Sequence, residues 1–164
     1  MKNKTFYIVR HGETFASKNN VDYGEMQFSA EILDEGLPAI RKIGEFLKSV
    51  NNSKNYTSEL LRCRQTSNII YQISGKIFQP LDLLNEYLEP DFKTFKKRIQ
   101  KLILTLEMDE NEIFILCTHG AVISALKYLL TKRKYEIENL LDYPRTGTVL
   151  IIKNGKDKLM DFNL

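Results

Sequence analysis

The chain has 164 residues, enough for one domain with a proper core and too few for two ordinary ones. Its 43% hydrophobic and 27% charged residues describe a folded domain and exclude a disordered one. A formal net charge of +3 is only mildly basic, and the densest basic run, Lys132 to Lys134 with Lys127 nearby, reads as a solvated helix end. No nucleic-acid or membrane partner is therefore expected.

Thr5 to Val9 (TFYIV) is β-branched and aromatic, as a buried strand requires, and Gly12 ends it. Phe15 to Glu31 is polar and irregular and reads as a loop. Asp34 is placed to cap a helix whose apolar positions Leu37, Ile40, Ile43, Phe46 and Leu47 recur at helical spacing; it ends near Asn51-Asn52. A short strand is expected over Asn55–Ser58, then a helix from Glu59 to Ser74 with Gly75 as its stop. Ile77 to Leu81 reads as a strand and Leu84 to Asp91 as a loop broken by Pro90. The chain then predicts a helix over Phe92–Met108, a buried strand over Glu112–Thr118 and a helix over Ala121–Leu130. A short helix follows over Tyr135–Leu141. Thr148–Lys153 and Lys158–Phe162 form a hairpin across Asn154-Gly155. This alternation predicts an α/β fold, a mainly parallel central sheet flanked by helices, in one domain over residues 1–164.

The two cysteines, Cys63 and Cys117, belong to no CxxC pair and have no histidine at metal-ligand spacing, so they read as reduced, buried thiols. The polar start, Met1 to Thr5, has no signal-type apolar region. No apolar run approaches the roughly 18 residues of a membrane span. A cytoplasmic protein is expected.

The only two histidines are each followed by glycine and each end one of the two best buried strands: Arg10-His11-Gly12-Glu13-Thr14 and Thr118-His119-Gly120. Ligands of open α/β sheets bind beyond the carboxyl ends of the strands. If these strands are neighbours, the imidazoles meet there. A neutral imidazole is a good nucleophile towards phosphorus. The charge spread over a transferring phosphoryl group calls for cationic donors, which Arg10 and Arg62 offer in bidentate geometry.

These segments resemble the histidine phosphatase superfamily, also called phosphoglycerate mutase-like. Arg10 to Thr14 match its R-H-G-E-T/S motif. Thr57-Ser58-Glu59-Leu60-Leu61-Arg62-Cys63-Arg64-Gln65-Thr66 match T/S-S-x-L-x-R-A-x-Q-T, with Cys63 at the usual alanine. Thr118-His119-Gly120 match the closing S/T-H-G. The resemblance implies a three-layer sandwich and a phosphatase of phosphate monoesters, small-molecule or phosphoprotein, working through a phosphohistidine at His11. It implies Arg10, Arg62 and His119 as the phosphate pocket, with His119 also stabilising the transferring charge. Leu84-Asn85-Glu86 matches the context of the family's proton donor, so Glu86 is the expected general acid. The glycine usual after that acid is missing, which leaves Glu89 and Asp91 as alternatives. Ser17 replaces an asparagine common after the first motif, with Asn19 and Asn20 nearby. Arg64 is expected to be an exposed helix residue and Glu13 a structural one, and the Arg145-Thr146-Gly147 loop lies where family members approach the pocket. Neither a metal nor an organic cofactor is implied. Mutase-type phosphoryl transfer and a non-catalytic phosphate-binding module are the alternative readings. The short stretch between Arg62 and His119 leaves little room for a mutase lid, which favours hydrolysis.

Overall fold

The computed structural model describes residues 3–164. In chain order the elements are β1 (Thr5–Arg10), α1 (Phe15–Asn19), α2 (Leu37–Leu47), β2 (Ser53–Thr57), α3 (Leu61–Ser74), β3 (Gln79–Pro80), α4 (Phe92–Met108), β4 (Ile113–Thr118), α5 (Gly120–Thr131), β5 (Thr148–Lys153) and β6 (Lys156–Asp161). The strands form one six-stranded sheet in the order β3-β2-β4-β1-β5-β6. β3, β2, β4 and β1 run parallel, while β5 and β6 add an antiparallel edge.

The period-two alternation of the strands separates two cores. Phe6, Ile8, Phe114 and Leu116 point to one face, where Phe95, Ile99 and Leu102 of α4 and Val122, Ile123 and Leu126 of α5 cover them. Val9, Ile115 and Val149 point to the other, under Ile40, Ile43 and Leu47 of α2 and Ile70 of α3. This is the expected α/β sandwich, with helices on both faces of a mostly parallel sheet.

Several boundaries depart from the sequence reading, each for a local reason. The segment read as a loop from Phe15 contains a short helix, α1, which is set by a capping box between Thr14 and Ser17 and ends on Asn20 in the left-handed conformation. A 3-10 turn over Gly24–Met26 follows. Asp34 opens a 3-10 turn rather than α2, whose first turn carries Pro38 and which stops at Leu47. α3 begins at Leu61, because Ser58 Oγ accepts the Leu60 N–H and holds the chain extended there. The strand read over Ile77–Leu81 pairs only at Gln79–Pro80, where Pro80 has no N–H to donate. The helix read over Tyr135–Leu141 is only a 3-10 turn over Ile137–Asn139. The second hairpin strand starts earlier than read, at Lys156.

Candidate active site

The parallel register pairs Arg10 with Thr118. The next residues of β1 and β4, His11 and His119, therefore leave the sheet side by side, and the His11 N–H donates to the Thr118 carbonyl at 3.0 Å. Their rings lie 5.3 Å apart, centroid to centroid, and both side chains are buried. The glycine after each histidine is a matter of space. A Cβ on Gly12 would stand 2.5 Å from Ile40 Cδ1, and one on Gly120 would stand 2.6 Å from the Tyr143 ring.

The tautomers follow from the partners. His11 Nδ1 lies 2.8 Å from the Gly12 carbonyl, which only accepts, so Nδ1 carries the hydrogen and Nε2 the lone pair. Burial, then the Arg10 and Arg62 guanidinium groups, hold the His11 pKa well below 6.5. Asn85 Oδ1 accepts the Glu59 N–H at 2.9 Å and the Ser58 hydroxyl at 3.0 Å. With its own hydrogen so directed, Ser58 Oγ accepts from His119 Nε2 at 2.8 Å. His119 Nδ1 is left facing Glu86, 3.6 Å from Oε2. Burial, then His11 and the arginines, depress the His119 pKa strongly, so this contact joins a neutral ring to a carboxyl and is too long for a hydrogen bond.

Arg62 is fully buried at the start of α3. Its Nη1 donates to the Gln27 carbonyl at 2.5 Å and its Nη2 to Gln27 Oε1 at 2.6 Å. The guanidinium lies 3.9 Å from the centroid of the Tyr23 ring, and the Tyr23 hydroxyl is 2.9 Å from Thr14 Oγ1. Arg10 donates from Nη1 to the Pro144 carbonyl at 3.0 Å and lies over Tyr143, 4.8 Å from its ring centroid. Three buried side-chain nitrogens of the described residues lack a hydrogen-bond partner: Arg10 Nε, Arg62 Nε and His119 Nδ1. All three belong to this cluster. The two arginine nitrogens are unsatisfied buried donors, which are costly and suit an anion bearing several acceptor oxygens, whereas His119 Nδ1, with the hydrogen on Nε2, offers a lone pair.

Of the three carboxyl groups considered as acid, Glu86 alone faces the cluster, with Oε2 3.6 Å from Arg62 Nη2. Burial raises its pKa, against the opposing pull of the Tyr87 N–H and of Arg62, Arg10 and Arg98. Glu89 is instead bound to Arg98 at 2.7 Å, and Asp91 caps α4 by accepting the Thr94 N–H at 2.7 Å. Ser17 is committed to the α1 cap, donating to Glu13 Oε1 at 2.7 Å, and Asn19 bonds its own helix. Arg64 is exposed, as expected. The loop before β5 does reach the pocket, but through Tyr143 and Pro144; Arg145 pairs with Asp161 at 2.6 Å.

A cleft of about 550 Å³ opens from Arg10 and Glu86. Two other recesses, of about 610 Å³ beside β3 and about 880 Å³ beside the β5–β6 turn, border none of Arg10, His11, Arg62, Glu86 and His119. Among the described residues no three His, Cys, Asp or Glu side chains are grouped to hold a metal ion, and no helix is long and apolar enough to cross a membrane.

The family model of the histidine phosphatase superfamily (branch 1) matches residues 6–88. The chain belongs to this superfamily. No curated protein matches the sequence. Among solved structures, an Escherichia coli protein assigned as an alpha-ribazole-5'-P phosphatase superposes with a TM-score of 0.80 at 18% identity, over 98% of this chain and 97% of that one. The alpha-ribazole phosphatase of Shigella flexneri gives 0.77 at 18% identity, over 98% and 96%. A phosphoglycerate mutase of Bacillus anthracis gives 0.71 at 16% identity, over 98% and 92%. At such identities the likeness is one of fold.

Within this superfamily fold, three residues that sequence reasoning did not single out hold the site together. Gln27 and Tyr23 fix Arg62 from the irregular segment after α1. Arg98 donates to the carbonyls of Leu83, Asn85 and Glu86 at 2.8, 2.8 and 2.9 Å, clamping the Glu86 loop to α4. The Tyr23-Gly24 turn was a faint sequence signal; Arg98, one cation among many on α4, offered none.

Proposed function

We propose that this histidine phosphatase superfamily member hydrolyses phosphate monoesters through a phosphohistidine at His11. The observation that carries the reading is the pair of unpartnered donor nitrogens, Arg10 Nε and Arg62 Nε, beside a neutral His11 whose lone pair is on Nε2. In this reading Nε2 attacks phosphorus and the bond to the ester oxygen breaks. The leaving oxygen takes a proton from the Glu86 carboxyl. Arg10 and Arg62 hold the phosphoryl oxygens while charge builds on them, and His119 Nδ1 accepts the hydrogen of a phosphoryl hydroxyl. Water then attacks the phosphohistidine, Glu86 takes up its proton, and His11 leaves as the neutral ring. The raised Glu86 pKa supports a carboxyl that is partly protonated when substrate arrives.

Hydrolysis is favoured over mutase-type transfer by the chain between Arg62 and His119. It is occupied by the rest of α3, β3, the seventeen residues of α4 and β4, and its longest loop, between β3 and α4, is tied down by Arg98. No segment there is free to close over a sugar acid and exclude water.

The test is para-nitrophenyl phosphate hydrolysis by the wild type and His11→Ala with a chelator present. Release that survives chelation and vanishes in His11→Ala is expected. Equal release from the two proteins would remove His11 as nucleophile, and none from the wild type would remove the phosphatase reading.

A further inference from the structure

We propose that the substrate's leaving group is an uncharged, ring-sized moiety with polar substituents, and that the outer cleft rejects a second anionic group. The inference rests on the phosphatase reading only for where the phosphoryl group sits. The cleft lining joins Tyr87, Tyr143, Leu140 and Leu141 to the polar side chains of Asn20 and Gln27. The two tyrosines are held from behind. Tyr87 stacks on Phe95 with ring centroids 4.3 Å apart and planes 7° apart. Tyr143 lies against Gly120, where even a Cβ would collide with it, and against the Arg10 guanidinium. Leu141 stands 77% exposed on the rim, a large apolar side chain that a bound ring would cover. Flat rigid walls of this kind favour stacking with an aromatic or similarly planar group.

Charge points the same way. Among the described residues Arg10 is the only cation lining this cleft, and its side chain belongs to the phosphoryl site; the acidic lining groups are Glu86, which serves as the protonated acid, and Asp22. A substrate carrying a carboxylate or second phosphate in its leaving group would thus meet the Asp22 carboxylate and no cationic partner. Arg62, which touches the lining residues Gln27 and Tyr23, belongs to the phosphoryl site, and Lys18 and Arg145 line a separate recess of about 180 Å³ that shares Arg10 and Ser17 with the cleft. Each is already paired, Lys18 with Glu35 and Arg145 with Asp161.

Phosphonates test this without turnover, because their carbon–phosphorus bond offers no leaving oxygen. Calorimetric titration of the wild-type protein should give benzylphosphonate at least about tenfold tighter binding than ethylphosphonate. The para-carboxybenzylphosphonate should lose about tenfold relative to benzylphosphonate. Leu141→Arg, which puts a cation on the exposed rim, should recover most of that loss and tighten para-carboxybenzylphosphonate far more than ethylphosphonate. Equal affinity for benzyl- and ethylphosphonate would overturn the inference. So would para-carboxybenzylphosphonate binding as tightly as benzylphosphonate in the wild type, with the recess of Lys18 and Arg145 then the seat of the second anion. The ring preference reads the cleft alone. If it stands while para-nitrophenyl phosphate is not hydrolysed, the phosphatase reading fails and the ligand class does not.

Discussion

Glu86 is the residue whose role is most sharply separable from that of its neighbours. Three acidic side chains follow each other on one loop, and their partners divide the work. Glu89 is bound by Arg98 and Asp91 caps a helix, so each already has a structural occupation that keeps it ionised. Glu86 has only its own loop's Tyr87 N–H as a hydrogen-bond partner and sits where burial disfavours the carboxylate. A proton donor matters most when the leaving oxygen is basic. Glu86→Gln is therefore expected to slow hydrolysis of an alkyl phosphate by about 10²-fold or more, and that of para-nitrophenyl phosphate by less than about tenfold. Steady-state rates on both substrates decide it. Equal losses on the two would mean that Glu86 does not protonate the leaving group.

At the scale of elements, the site is assembled by two adjacent strands and one helix behind them. That β1 and β4 are buried strands was legible because both are continuous apolar runs, each ending in a His-Gly pair, and central parallel strands read that way; their adjacency, only a condition in the sequence, is fixed by the sheet order. The layered sandwich followed from the alternation of such strands with amphipathic helices. What stayed hidden depended on contacts between segments far apart in sequence. α1 is too short to show a helical period and rests on one side-chain cap. Gln27 reads as any polar loop residue until its carbonyl and amide oxygens are found on Arg62. Arg98 lies on the polar side of α4 in a run of lysines, and its acceptors are carbonyls of a loop that has no pattern of its own. Its planar fork satisfies three carbonyls and the Glu89 carboxylate together, which an ammonium group cannot do. Arg98→Lys should lower the melting temperature by a few degrees, about 2–4 °C per kcal/mol lost. Because the clamp aims Glu86, the variant should also widen the gap between aryl and alkyl phosphate rates in the direction of Glu86→Gln. A lower melting temperature with an unchanged rate ratio would reduce Arg98 to a structural tie.

At the scale of the whole molecule, the chain buries both of its histidines uncharged between two hydrophobic cores, and this couples stability to pH. In the unfolded chain each histidine takes up a proton near its ordinary value of 6.5, whereas both folded values lie well below it. As pH falls through 6.5, the unfolded state binds more protons than the folded one, so stability is full above that value and falls below it. The slope approaches about 1.4 kcal/mol per pH unit for each histidine. Glu86 acts in the opposite sense: its folded value is raised above 4.5, so its contribution is full below 4.5 and is lost as pH rises through the folded value. The carboxylates held low by partners, among them Asp109 and Asp161 at about 2, lose their contributions only in more acidic solution. Glu86→Gln removes that opposing carboxyl, so denaturant titrations of this variant between about pH 8 and pH 5 isolate the histidines. Its unfolding free energy should fall steadily below about pH 6.5. His119→Asn should roughly halve that slope, and His11→Asn with His119→Asn together should flatten it whatever they do to activity. A curve already flat across this range in the Glu86→Gln background would mean that both rings take up protons in the folded protein as they do in the unfolded chain. His11 could then no longer be counted on as a neutral nucleophile, since a protonated ring has no lone pair with which to attack phosphorus.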